Sequence, residues 1–162
     1  MAGDAVSDRR VEPTLDGAGV RVAVVAGRFN DLVTFRLLDG VERGLAALGA
    51  PPPRVEWVPG AFEIPLAAKA FAESGAVDAV IGLGCVIRGA TTHYEAVAGE
   101  CAAGILRAGL ATGVPIIFGV LTTEDLDQAL ERSEGPGGHN VGEEGAHTAV
   151  EMVRLLERVR PT

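Results

Sequence analysis

Lysine is almost missing from this chain: its 162 residues hold one, Lys69, together with only three histidines and two cysteines. The 14 Lys and Arg residues are outnumbered by 22 Asp and Glu, a formal net charge of −8. That balance disfavours an electrostatic grip on nucleic acid or on an acidic membrane surface. A small anionic ligand stays within reach, because a local array of N–H groups can oppose the net field. Cys85 sits in an apolar run and Cys101 at a helical spacing; both read as reduced small hydrophobes, without a disulfide or metal framework, which suits a cytoplasmic protein. The opening MAGDAVSDRR has no apolar stretch of the kind a secretory signal needs, and Glu, Asp or Arg interrupts every Ala-rich run before it could span a bilayer. Familiar catalytic signatures are missing too. GLGCVIRG (82–89) gives G-x-G without the third glycine of a dinucleotide fingerprint, and no Walker loop, G-x-S-x-G elbow or C-x-x-C occurs. His139 and His147 fall far from His93, with no zinc-type spacing, so no metal is expected.

What is present is a regular alternation. A chain of this length with 48% hydrophobic residues supports one domain with a real core. Residues 1–18 have no period and read as a mobile arm, in which Val11 to Leu15 could extend along a neighbour, ahead of a single domain over 19–162. The β-branched run VRVAVVAG (20–27) predicts a strand. Leu32, Phe35, Leu38, Val41, Leu45 and Leu48 then recur at three- and four-residue steps, predicting a helix over 31–48. The same reading gives strands over 54–58, 77–87 and 114–121, and helices over 62–73, 93–111, 124 to about 133 and about 143–158, the last with Ala146, Val150, Val153 and Leu156 inward. Continuous apolar strands alternating with amphipathic helices predict a four-stranded parallel sheet covered on both faces, a three-layer α/β sandwich.

In open parallel sheets ligands bind beyond the carboxyl ends of the strands. The four turns there are GRFN (27–30), VPGAFEIP (58–65), CVIRGATTH (85–93) and IIFGVLTTED (116–125). Nearly every aromatic or polar residue that packing alone does not explain falls in one of them. Thr92 and Glu95 have the form of a capping box that starts a helix at His93. The amides of Gly89, Ala90, Thr91 and Thr92, backed by the helix dipole, suit a phosphate, although a capped helix without a ligand explains the same residues. His93 faces the same cleft and, with a reference pKa of about 6.5, suits proton transfer; a lone surface or core histidine is the plainer reading. Phe29 at a strand exit can stack on a planar heterocycle, while Asn30 either hydrogen-bonds or caps the following helix. Glu63 is placed well by a helix dipole and can also accept hydrogen bonds from a polyol. Phe118 reads equally as core.

Taken together, RFN, GAFEIP, VIRGATTHYE and FGVLTTED, in this order and each at a strand exit, resemble the 6,7-dimethyl-8-ribityllumazine synthase family of riboflavin biosynthesis, over about Val20 to Arg158. The resemblance implies a flavodoxin-like fold and condensation of 5-amino-6-ribitylaminouracil with 3,4-dihydroxy-2-butanone 4-phosphate, releasing phosphate and water, without a cofactor. Phe29 then stacks on the pyrimidine ring with Asn30 beside it, and Ala61, Phe62 and Glu63 hold the ribityl chain. Cys85, Val86 and Ile87 offer backbone groups to the uracil edge. Gly89, Ala90, Thr91 and Thr92 receive the phosphate, and His93 is the proton shuttle. Phe118 and Arg132 match residues that the family supplies from the adjacent subunit, one lining the ring pocket and the other pairing with phosphate. Homo-oligomers with sites between subunits are implied, and neither nucleic acid nor a membrane is expected as partner.

One position departs from the family pattern. A lysine usually precedes the glycine that aligns with Gly142, and here Val141 stands there, leaving Arg132, His139 and a helix N-terminus to balance the phosphate. The loop SEGPGGHN also differs from the shorter form associated with icosahedral shells, so a pentamer is expected, with a capsid as the second possibility. The missing lysine motivates one alternative: a catalytically weak paralogue that binds ribityl-heterocycles or builds a shell.

Overall fold

The computed structural model of the chain describes residues 5–161. Strands β1 (Val22–Gly27), β2 (Arg54–Val58), β3 (Ala79–Ile87) and β4 (Ile116–Thr123) form one parallel sheet in the order β2-β1-β3-β4. The connecting helices are α1 (Asp31–Ala47), α2 (Ile64–Glu73), α3 (His93–Thr112), α4 (Leu126–Glu131) and α5 (Val141–Val159). This is the expected three-layer sandwich of flavodoxin-like form. Element limits move by a few residues for identifiable reasons. The helix expected from Phe62 opens as a 3-10 turn, Ala61–Glu63, with Pro65 in the first turn of α2, where a missing N–H leaves no bond unmade. β4 runs on past Leu121 because Thr122 and Thr123 pair with Val86 and Ile87.

Alternate residues of each strand feed two separate cores. Val22, Val24, Ile81, Leu83 and Leu121 meet α1, α4 and α5, whereas Ala23, Val25, Val80 and Val120 meet α2 and α3. β1 is flanked by strands on both edges and helices on both faces, so all six of its residues are buried, as its unbroken apolar run requires. On α1 the buried stripe is Val33, Leu37, Leu38, Val41 and Leu45, while Leu32 and Phe35 stay exposed. Phe35 instead rests on Trp57 of β2, ring centroids 4.8 Å apart. On α5, Ala146, Val150 and Val153 are buried and Leu156 is half-buried. Two glycines set how closely the layers approach: a Cβ on Gly142 would lie 2.0 Å from the Leu37 carbonyl oxygen, and one on Gly82 would lie 2.8 Å from Ile64 Cγ2. α5 therefore seats directly on α1, and α2 on the sheet.

Of the segment 1–18, residues 1–4 lie outside the described residues. Val6 and Val11 are exposed. Nearer the domain, Arg154 donates from Nε to the Asp16 carbonyl at 2.8 Å and from Nη2 to that of Ala18 at 2.7 Å, and Gly17 N donates to Leu48 O at 2.8 Å. Among the described residues no helix is long and apolar enough to cross a membrane.

Sheet order decides where a ligand would sit. From β1 the chain moves outward to β2, while β3 lies on the other side of β1. The crevice between the exits of β1 and β3 is the topological switch point, where backbone groups are open at the carboxyl ends of the strands.

Candidate functional site

A cavity of about 300 Å³ occupies that crevice, lined by Phe29, Asn30, Pro59, Gly60, Ala61, Phe62, Glu63, Cys85, Val86, Ile87, His93 and Val97. Its β1–β2 wall is tied by backbone bonds from Arg28 N to Val58 O, 2.8 Å, and from Phe29 N to Pro59 O, 3.2 Å. These bonds bring the Phe29 and Phe62 rings to the mouth, where they are 74% and 59% exposed. Two large rings open to water beside a cavity are what a planar apolar ligand needs.

Asn30 joins the two sides of the crevice. Its Nδ2 donates to the Cys85 carbonyl at 2.8 Å, and its side chain makes no cap bond although it stands at the N-cap of α1. Of the two sequence readings, cap or hydrogen bond, the structure has the hydrogen bond. Its backbone, at φ 60° and ψ 41°, is left-handed, and Asn30 is the one non-glycine residue with positive φ among the described residues. Asparagine tolerates this region better than most residues. Opposite it, burial pushes the Cys85 thiol up to about 11, so at neutral pH it is a protonated apolar wall rather than a nucleophile.

Beyond β3, Gly89, Ala90, Thr91 and Thr92 form an exposed loop next to His93 without themselves lining the cavity. Their amides donate to no acceptor among the described residues, whereas the His93 amide donates to Thr91 Oγ1 at 3.3 Å. The expected capping box does not form. Thr92 is the N-cap residue but makes no side-chain cap bond, and Glu95 is held by Arg88 instead. The cause is a guanidinium that competes for the same carboxylate with a full positive charge, a stronger donor than a backbone N–H.

His93 and Val97, one turn apart on α3, supply the remaining wall. Val97, Pro59 and Gly60 were not singled out in the sequence; the i, i+4 spacing from His93 was the available signal for Val97. Phe118 and Arg132 are not brought to this cavity. Phe118, on edge strand β4, is 41% exposed rather than core. Arg132 ends α4, with Nη1 donating to the Gln128 carbonyl at 2.9 Å. Val141, at the usual lysine position, packs half-buried against the α1–α5 core, and His139 Nε2 lies 3.0 Å from Glu144 Oε1. No group of three or more metal-ligating side chains occurs among the described residues.

The arrangement thus offers an apolar slot between aromatic rings, a carboxylate at Glu63, an imidazole at His93, and unpaired amides one step further along. Those are the parts for holding a flat ring and a polyol next to an anion. A family model described as 6,7-dimethyl-8-ribityllumazine synthase matches residues 19–157. Two curated proteins named 6,7-dimethyl-8-ribityllumazine synthase, from two strains of Thermus thermophilus, are each 50% identical over 153 residues, covering 93% of this chain and 97% of theirs.

Proposed function

The chain belongs to the 6,7-dimethyl-8-ribityllumazine synthase family, and from that premise we propose how its residues carry the reaction. The enzyme is a transferase of riboflavin biosynthesis that condenses 5-amino-6-ribitylaminouracil with 3,4-dihydroxy-2-butanone 4-phosphate, releasing phosphate and water. Amine and ketone react readily once aligned, so proximity supplies most of the acceleration and acid–base help the remainder.

In this reading the uracil ring stacks on Phe29 with its edge towards the backbone of Cys85, Val86 and Ile87, beside Asn30. The ribityl chain runs along Ala61 and Phe62 to Glu63. The butanone phosphate places its phosphate on the amides of Gly89, Ala90, Thr91 and Thr92, where the α3 dipole favours negative charge. His93, between the two substrates, moves protons during imine formation, phosphate elimination and ring closure. The observation that carries this reading is the cavity itself, which unites Phe29, Glu63 and His93 at the switch point of the sheet.

Phe118 and Arg132 are assigned to the site of the neighbouring subunit, Phe118 against the ring and Arg132 against the phosphate by a bidentate contact. Neither residue lines the cavity of its own chain, and that cavity has an open aromatic mouth; both facts support the assignment. The family assembles as homo-oligomers, and a pentamer is proposed for this chain on the form of its 133–140 loop. The two buried, unpaired cysteines support a cytoplasmic setting.

The test is direct. Purified protein given both substrates is expected to form the fluorescent lumazine faster than the uncatalysed background. Protein that binds a ribityllumazine analogue without exceeding that background would establish a binding paralogue instead.

A further inference from the structure

We infer that Arg88 is a positioning residue that withdraws Glu95 from the Thr92 amide, so that this amide stays open to the substrate phosphate. The inference rests on the phosphate reading of the 89–92 loop. Arg88 is the first residue past β3, and its own amide donates to Thr123 O at 2.9 Å. Its side chain reaches three further groups: Nε donates to Glu124 Oε2 at 2.7 Å, Nη1 pairs with Glu95, and the guanidinium carbon sits 4.2 Å from the centre of the Tyr94 ring. One residue thus ties the exits of two adjacent strands to the first turn of α3.

The geometry has an electrostatic consequence. Thr92 and Glu95 have the sequence of a capping box, in which the carboxylate reaches back to the N-cap amide. Such a bond would consume a donor and place a negative charge where the phosphate must arrive. With Glu95 turned to Arg88, the Thr92 amide has no acceptor among the described residues. The carboxyl of Glu95 is held below its usual value first by the Arg88 hydrogen bond and then by its own backbone amide, so it stays charged at neutral pH and is held at its own position in the turn rather than at Thr92. Arg88 is itself engaged by two carboxylates and a ring face, which holds its guanidinium beside Glu95 and Glu124. Gly89 adds nothing to hold the loop, since even a Cβ there would touch nothing within 4 Å.

The experiment is a double-mutant cycle in the full-length protein, with inorganic phosphate as the probe of the anion site. Arg88→Met frees Glu95 to cap, and is expected to raise KM for the butanone phosphate about fivefold, the factor of a typical cap bond, with kcat changed less. The inhibition constant of phosphate should rise in parallel. Glu95→Ala alone leaves both near wild type, and Arg88→Met with Glu95→Ala returns them there, a rescue that a merely structural arginine does not produce. If phosphate competes with the butanone phosphate in wild type but KM and the inhibition constant are unmoved in Arg88→Met, the inference fails while the phosphate reading stands. If phosphate does not compete in wild type, both fall. Should Arg88→Met fold poorly, Arg88→Lys serves, because a lysine cannot hold Glu95, Glu124 and the Tyr94 face at once; its KM must rise and be restored by Glu95→Ala.

Discussion

At the scale of single residues, the crevice depends on groups whose side chains do unusual work. Asn30 accepts a left-handed backbone and bridges to Cys85, so Asn30→Ala should lose both a hydrogen bond and the tolerance for that conformation, about 1–3 kcal/mol together. Asn30→Gly should lose less, since glycine adopts the same backbone freely; chemical denaturation of the two variants separates the contributions. Removing the imidazole in His93→Ala is expected to lower kcat by roughly a hundredfold, the low end of acid–base catalysis. Affinity for a ribityllumazine analogue should be retained, as stacking and polyol contacts lie elsewhere in the cavity. Cys85 and Cys101 are both pushed up to about 11 by burial. Alkylation at pH 8 should therefore be slow in the native protein and fast once it is unfolded, with mass spectrometry as the readout.

Elements are held together by fewer, more exacting contacts than the apolar runs suggest. The α1–α5 pair closes over Gly142, and Gly142→Ala would drive a methyl into the Leu37 carbonyl. The expected loss is about 1–3 kcal/mol from overpacking, seen as an earlier thermal transition. At the other end of the sheet, Arg21 ties β1 to β3: its amide donates to Asp78 Oδ2 at 2.8 Å and its Nη2 to Oδ1 at 3.0 Å. Burial alone would raise the Asp78 carboxyl, but the Arg21 hydrogen bonds and the charges of Arg21 and Arg154 outweigh it and hold the group below its ordinary value. A lowered folded value means that the contribution is fully present above the unfolded value, about 3.9, and disappears as pH falls through the folded one. Urea midpoints of wild type and Asp78→Asn should differ at pH 7 and draw together as pH falls below the unfolded carboxylate value.

For the whole molecule, the cavity in one chain is open on the side where two phenylalanine rings are exposed, and Phe118 and Arg132 lie away from it. A shared site makes a clear prediction. Assayed at butanone phosphate well below KM, assemblies refolded from a mixture of His93→Ala and Arg132→Ala chains should exceed the average of the two parents, because some interfaces then pair an intact His93 with an intact Arg132. Activity no higher than the average of the parents would place both residues in the site of one chain. Mass measurement of the native assembly separates a pentamer from a larger shell. With Val141 half-buried against the α1–α5 core and His139 beside Glu144, the proposed site relies on Arg132 as its cation, so Arg132→Ala should raise KM for the butanone phosphate more than it lowers kcat.

Much of this was written in the chain itself. Apolar runs of the right length and helical spacings fixed the strands, the helices and their alternation, because burial on both faces of a parallel sheet demands such runs. Three of the four strand-exit turns supplied every cavity residue but Val97, for the same reason: groups at the carboxyl ends of strands are free of both sheet and core. Local pattern did not decide pairings between side chains distant in sequence. Thr92 and Glu95 spell a capping box, yet Glu95 answers to Arg88, seven residues before it, and Asn30 answers to a carbonyl 55 residues away instead of to its own helix. Such contacts are settled by strand order, which sets β1 beside β3 and β3 beside β4 and so brings competing partners within reach. The sequence by itself determined the layers and marked most residues that line the cavity; only the tertiary structure decided which donor each acceptor would meet, and hence which amides were left open.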